Sequence, residues 1–366
     1  MTELAIHAAD QDIADDLCEQ VRSAYANRTP LRIVGGDTRA FYGRAVEGNA
    51  LNMSPHSGII SYDPVELVIT VRAGTRLSAL NAALAEENQM LAFEPPAFSD
   101  ASTIGGAVAT GMSGPRRPWA GAARDFVLGT RVITQEGKLL RFGGEVMKNV
   151  AGYDLSRLMA GAQGTLGVLA DISFKVLPIP TATHSLRLSM SLEDALAKLA
   201  ELGRQPLPIT AAGWHAGELF IRLEGGASSV NATKERLGGE SLSSDFWQQL
   251  RDHQHPFFSL NEGQALWRLS LPPNTPPLAL DIPQSDIFYD WGGSQRWIKT
   301  SAAADTLRTA CQQAGGHATC FTPYAQGGAE SPFTPLNPVV EKYHRNLKAE
   351  LDAYGIFNPG RLYAAF

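Results

Sequence analysis

Cysteine is scarce: the 366 residues contain three, Cys18, Cys311 and Cys320, and none stands in a C-x-x-C pair or another ligand spacing. An odd number of widely separated thiols excludes a disulfide framework and an iron–sulfur cluster held by this chain alone, and leaves three buried thiols as the expectation. Basic runs are missing as well. Lys and Arg total 31 against 37 for Asp and Glu, a net charge of −6, so a protein that tracks nucleic-acid phosphates is excluded. No apolar stretch approaches the roughly 20 residues of a membrane helix. Met1–Gln11 carries Glu3 and Asp10 where a secretion signal would carry a basic start and an apolar core, and a cytoplasmic protein is expected. No two glycines are separated by a single residue, which removes G-x-G-x-x-G, and the one Gly-Lys pair, Gly137-Lys138, is followed by Leu139 and makes no P-loop. Neither H-E-x-x-H nor G-x-S-x-G occurs, so hydrolase and ATPase readings lose their local support.

What is present is a globular composition, 44% hydrophobic and 19% charged, in a chain long enough for two cores. Ile13, Leu17 and Val21 mark a helix over 9–26. Leu31–Val34 reads as a strand delivering the chain to Gly35-Gly36-Asp37-Thr38, and Leu67–Val71 as a strand leading to a helix with Leu77, Leu80 and Leu84 on one face. Arg131–Thr134 and Leu139–Phe142 flank a four-residue hairpin turn. Asp154 caps a short helix, and the apolar alternation from Leu166 to Val176 is a strand closed by Pro178 and Pro180. Strands and helices then mix over 184–237 and 295–321, the pattern of an α+β domain on an antiparallel sheet. Tyr343, Leu347, Leu351 and Tyr354 place a terminal helix that docks back on the first domain. The expected domains are 1–180, 181–335 and a returning tail, 336–366.

Chemistry concentrates in separate glycine turns: Gly35-Gly36, Gly105-Gly106, Gly111 to Gly114, then Gly161, Gly164 and Gly167. Glycine permits unusual backbone angles and close approach, so successive amides can converge on an anion such as a pyrophosphate; each turn alone is as well an ordinary strand turn.

Taken in order, Ile33-Val34-Gly35-Gly36-Asp37-Thr38, Ser102-Thr103-Ile104-Gly105-Gly106, Arg124-Asp125-Phe126-Val127-Leu128-Gly129, Gly152-Tyr153-Asp154-Leu155, Gly164-Thr165-Leu166-Gly167-Val168 and the tail Asn358-Pro359-Gly360-Arg361 resemble the FAD domain shared by vanillyl-alcohol oxidase and D-lactate dehydrogenase. Gly114-Pro115-Arg116-Arg117-Pro118-Trp119, the segment Arg141–Asp154, and Pro206–Ile209, Asp290–Gly293 and Gly315–Thr319 resemble, more narrowly, the E-subunit family of bacterial glycolate oxidases. The resemblance implies an α+β fold: a two-subdomain FAD-binding domain of the vanillyl-alcohol oxidase type plus an α+β cap with an antiparallel sheet. It implies FAD held by Val34, Gly35, Gly36, Asp37, Thr38, Arg39, Ala40, Phe41 and Gly43, a second wall of Ser102, Thr103, Gly105 and Gly106 with Gly111 and Gly114 nearby, further contacts from Gly164, Gly167 and Val168, and Asn358 reaching the flavin ring. Arg124 and Asp125 either join that site or form a structural ion pair.

The departures are informative. Asp37 stands where relatives often have glycine, and an acid beside a diphosphate should turn its side chain away. Gln163 replaces a common glutamate. Neither turn contains the His or Cys that bonds FAD covalently in some relatives, so non-covalent FAD is expected. The H-x-G-D-G-N segment of the hydroxy-acid dehydrogenases is missing, and His253 and His255 near Pro256 read as loop histidines, with no metal site. Oxidation of a 2-hydroxy acid needs a cation for the carboxylate and a base for the hydroxyl proton. Arg268 and His317 are the candidates for those roles, Arg296 a third possibility; the alternative is an exposed strand residue for each arginine and a packed or solvated histidine for His317. The resemblance implies a subunit that oxidises glycolate to glyoxylate and passes electrons to an iron–sulfur partner beside a larger FAD-binding dehydrogenase subunit, cytoplasmic and associated with a membrane only through those partners. A self-sufficient FAD-dependent D-lactate or glycolate dehydrogenase, or a structural subunit with a vestigial flavin site, are the alternatives.

Overall fold

The computed structural model describes residues 10–144, 153–322 and 331–366; the part of the Arg141–Asp154 motif from 145 to 152, Gly152 included, lies outside them. The chain divides into two compact units. The first comprises 1–113, 122–179 and 335–366, the second 114–121 and 180–334.

In the first unit the helix Ala14–Asn27 buries Leu17, Cys18 and Val21, the face that the four-residue spacing marks out. It packs on a cluster with Leu31, Leu51, Ile133, Val168, Ala170, Ile356 and Phe357. Strand Leu31–Val34 pairs in parallel with Asn49–Asn52, and its other edge takes a parallel bridge from Leu31 to Phe357. A five-stranded sheet runs in the order Ile59–Asp63, Val68–Arg72, Val168–Lys175, Val127–Ile133, Leu139–Gly143, with antiparallel neighbours throughout.

Alternation in Leu166–Val176 suggests one wet face, yet Val168 through Phe174 are all buried. The second face is polar and satisfied internally. Thr70 and Ser173 share a hydrogen bond of 2.8 Å. The Ile13 N–H donates to His56 Nδ1 (3.2 Å), which leaves the imidazole proton on Nε2, 3.0 Å from Asp171 Oδ1. Arg131 pairs with the other Asp171 oxygen at 2.9 Å. Buried polar groups persist where each finds a partner.

The second unit is an eight-stranded sheet in the order Glu240–Ser241, Ala182–Ser189, Glu218–Gly225, Ile209–His215, Ile287–Asp290, Gln295–Thr300, Ala265–Ser270, His317–Cys320. Helices Leu192–Leu202, Ala227–Leu237 and Ala304–Gln313 bury Leu192, Val230 and Leu307 in the clusters built around Trp214 and Trp267. Gly114–Gly121 joins this unit: Trp291 Nε1 donates to the Gly114 carbonyl at 3.1 Å, the Arg117 guanidinium lies 4.5 Å over the Trp291 ring, and Arg116 pairs with the buried Glu224 at 2.6 Å. The two units together form an α+β chain.

The terminal helix Pro338–Leu351 belongs to the first unit, but its buried residue is Lys348. Tyr343, placed on the docking face by periodicity, is exposed, and Tyr354 lies past the helix, against Tyr25 at 4.9 Å. A lysine serves as the anchor because its ammonium is fully bonded: Nζ reaches the Thr165 carbonyl (2.7 Å), the Phe357 carbonyl (2.9 Å) and Asp352 Oδ2 (2.6 Å). Burial pushes its pKa below the ordinary lysine value, against the pull of Asp352.

Candidate functional site

The site begins where strand Leu31–Val34 ends. Among the described residues, none accepts a hydrogen bond from the amides of Gly35, Gly36, Asp37 or Thr38. Four successive donors without protein partners are an anion-binding concavity by elementary electrostatics. The two glycines are needed for space. A Cβ on Gly35 would meet Thr103 Oγ1 at 2.5 Å, and one on Gly36 would coincide with the backbone carbonyl of Ala101.

The second turn thus lies directly against the first. Thr38 Oγ1 and Ser102 Oγ are 3.0 Å apart, and Thr103 caps the helix Ile104–Thr110 by accepting from the Gly106 N–H at 3.3 Å. Gly105 and Gly106 differ in purpose. Gly105 donates its N–H to the Ala73 carbonyl at 2.8 Å, and a Cβ there would press on Ala73 Cβ at 2.7 Å, so it packs inward and offers no donor. Around Gly106 an added Cβ would meet only Thr103 Oγ1 at 3.4 Å and Arg39 Nη1 at 3.7 Å; the space is there in the chain itself. The buried Arg39 guanidinium beside it donates to Thr38 Oγ1 at 3.3 Å and to the Pro96 carbonyl. Open amides, a neighbouring cation and an unfilled glycine face are the donor set that a nucleotide diphosphate requires, and these residues fit the pyrophosphate of FAD.

The Asp37 carboxylate is taken up by a neighbouring arginine. The Asp37 backbone is left-handed, φ 54°, and both carboxylate oxygens lie within 3.2 Å of Arg32 Nη1. Asp37→Gly removes the nearby negative charge and keeps the amide, so FAD should bind roughly threefold to tenfold tighter, the equivalent of about 0.7–1.4 kcal/mol. Arg32→Ala should weaken binding, and salt should shrink both effects. Fluorescence titration with FAD measures this; an unchanged Asp37→Gly affinity would place the diphosphate elsewhere.

Other expected residues are brought to the same neighbourhood by the tail. Gly164, φ 69°, has no room for a Cβ between Asn358 Nδ2 (2.8 Å) and Ile33 Cδ1 (3.1 Å), and Gly111 approaches Gly161 at 3.1 Å by the same measure. Asn358 is held from two sides. Its Oδ1 accepts from the Ile33 N–H (2.8 Å) and its Nδ2 donates to the Gln163 carbonyl (2.7 Å), so its carboxamide ties tail to strand. Phe41 packs edge-on to Phe98 at 5.1 Å. Gly167 and Val168 open the central strand, with Val168 in the hydrophobic core.

Several expected residues lie on separate elements. Gly114 belongs to the second unit. Arg124 and Asp125 are exposed on the helix Ala123–Phe126, and Asp125 accepts from the Ala122 N–H at 2.8 Å; among the described residues the two form no ion pair with each other. Arg268 and His317 share one face of the second unit's sheet, diagonal to each other across the register Arg268↔Thr319 and Ser270↔His317. Arg296 is corrected: its buried guanidinium is taken up by the carbonyls of Gly293, Pro276 and Thr275, leaving it no role as a carboxylate clamp. His253 lies among aromatic rings. It stacks on Phe258 at 4.0 Å against Trp297 and Phe321, and enclosure by these rings, with Arg268 adding repulsion, pushes its pKa down to about 3. No group of three His, Cys, Asp or Glu among the described residues is placed to hold a metal.

Sequence reasoning gave no role to Lys348, Asp352 and Arg361. The i, i+4 spacing of Lys348 and Asp352 was the available signal; for Arg361 there was only its place after Asn358-Pro359-Gly360.

Residues 12–143 match the FAD binding domain family. Along 96% of its length the chain is 52% identical to "Glycolate oxidase subunit GlcE" of Escherichia coli (strain K12), covering 98% of that protein. The chain belongs to the glycolate oxidase E-subunit family. This is a family of FAD-dependent oxidoreductases, and FAD is the cofactor. The chain is also 32% identical to "Glycolate oxidase subunit GlcD" of Bacillus subtilis (strain 168) over 50% of its own length and 39% of that one. The 4-ethylphenol oxidase from Gulosibacter chungangensis superimposes over 96% of the chain and 88% of its own with a TM-score of 0.70 at 14% identity, so the E-subunit family has the vanillyl-alcohol oxidase type of fold.

Proposed function

We propose that this chain is the FAD-carrying E subunit of a glycolate oxidase, which oxidises glycolate to glyoxylate beside a larger FAD-binding dehydrogenase subunit and passes electrons to an iron–sulfur subunit. The observation that carries the reading is the 52% identity to the subunit GlcE along nearly the full length of both chains, in a chain whose first turn leaves four amides open to an anion.

The FAD is held non-covalently. Val34 through Gly43 and Ser102 through Gly106 hold its diphosphate, and Arg39 offsets the charge. FAD when bound accepts two electrons from an alcohol and releases them singly, which suits a partner with clusters. This chain's own residues bind and orient. Arg268 and His317 are the second unit's candidates for holding a carboxylate and a hydroxyl proton. The chain acts in the cytoplasm and meets a membrane through its partners; no helix among the described residues is long and apolar enough to cross one.

The test is anaerobic glycolate addition to the isolated chain and to the reconstituted complex, with flavin bleaching followed in each. Bleaching in the complex alone supports a subunit that relays electrons or supports the assembly. Bleaching of the isolated chain would make it a self-sufficient hydroxy-acid dehydrogenase, and a chain that takes up no FAD would make its nucleotide site vestigial.

A further inference from the structure

We infer that Arg361 is a positioning residue for the cofactor turn: it fixes the backbone of Arg39–Arg44 so that the preceding amides, Gly35 to Thr38, stay open to the nucleotide. The inference rests on the FAD placement proposed above.

A guanidinium has five N–H donors in a rigid plane, and in Arg361 every one is engaged. Nε donates to Gln163 Oε1 at 3.0 Å. Nη1 donates to the carbonyls of Ala40 (3.1 Å) and Arg44 (2.7 Å), and Nη2 to those of Arg39 (3.0 Å) and Tyr42 (2.6 Å). The loop's own backbone bonds run from Ala40 N–H to Asp37 O (3.3 Å) and from Tyr42 N–H to Arg39 O (3.0 Å), so the guanidinium outweighs them in defining its shape.

Four carbonyl oxygens converging on one point repel one another unless a cation sits there. Beside a diphosphate, released carbonyls would also oppose the anion. Arg361 prevents both by holding the oxygens on its own side. Gly43 accommodates it: at φ 114° its missing Cβ would lie 2.9 Å from Arg361 Nε and 2.7 Å from Gln163 Oε1. The arginine itself is fixed at both ends of its peptide, since Arg44 N–H donates to its carbonyl at 3.0 Å, its N–H donates to Asn358 O at 3.2 Å, and Asn358 N–H reaches Leu31 O at 3.0 Å. The same clamp holds the main chain of Arg39, whose guanidinium stands beside Gly106. Lysine could supply the charge but has three donors and no planar fork.

The experiment measures FAD dissociation constants by flavin fluorescence for the wild-type chain, Arg361→Ala, Arg361→Lys and Gly43→Ala, with the melting curve of each FAD-free protein and of Arg361→Ala in millimolar guanidinium chloride. Loss of preorganisation should weaken FAD by roughly tenfold to a hundredfold in Arg361→Ala, less in Arg361→Lys, and comparably to alanine in Gly43→Ala. Free guanidinium should recover part of the affinity, which a general loss of stability would not allow. Wild-type affinity in Arg361→Ala overturns the inference; if that variant does not fold, wild-type affinity in both Arg361→Lys and Gly43→Ala overturns it. A wild-type chain that takes up no FAD instead removes the placement beneath it, an outcome distinct from variants that bind as the wild type does.

Discussion

Gly36→Ala is expected to leave a chain that folds poorly and retains no flavin, while Gly226→Ala retains it as the wild type does. The added Cβ at Gly36 would lie 1.7 Å from the Ala101 carbonyl oxygen, and a backbone atom cannot swing aside as a side chain does. The two turns must separate, which breaks the Thr38–Ser102 contact and spreads the four open amides. Overpacking of this kind costs about 1–3 kcal/mol in stability, and FAD affinity should fall by roughly a hundredfold or more because the donors no longer converge. Around Gly226 an added Cβ meets nothing within 4 Å, and its φ of −69° suits any residue. Flavin absorbance after gel filtration distinguishes the two. Flavin retained by Gly36→Ala would show that the first turn does not hold the diphosphate.

Asp352→Ala should be the most destabilising single change of the C-terminal segment. Its carboxylate accepts from the Ile356 N–H (2.9 Å) and the Phe357 N–H (2.8 Å) and pairs with Lys348 at 2.6 Å, with all the groups buried. Alanine would strand two amides and an ammonium together. Removing one partner of a buried pair costs about 3–5 kcal/mol, and without its counter-charge the Lys348 pKa, already lowered by burial, would fall further. Lys348→Met should cost less, since Asp352 keeps both amides. Urea midpoints of the FAD-free proteins measure the difference; equal midpoints for the two variants would refute this ordering.

Much of the fold was legible because periodicity and punctuation agreed. Leu17 and Val21 marked a helix face, Leu31–Val34 stopped at its glycines, and Asp154 capped its helix through the Arg157 N–H. The glycine turns were legible as a group because only their order carries information. Two burial patterns escape the sequence for one physical reason. Val168–Lys175 shows alternation yet is buried on both faces, and Pro338–Leu351 docks through a lysine. In both, buried charged groups are satisfied by partners distant in the chain, and hydropathy cannot see partners. The same blindness hid Arg361, which reads as a surface cation until the carbonyls of Arg39, Ala40, Tyr42 and Arg44 are gathered around it. Asn358 was found for its position, whereas its contacts with Ile33 and Gln163 exist only in the folded chain.

The edge of strand Leu31–Val34 is finished by residues around Phe357, and the Ile33 amide is satisfied by a side chain 325 positions later. During synthesis the nucleotide loop therefore leaves the ribosome long before the segment that braces it. A nascent chain should capture flavin only once that distant stretch has emerged and folded back, so cofactor loading reports its emergence, and fragments stopped short of it should stay colourless.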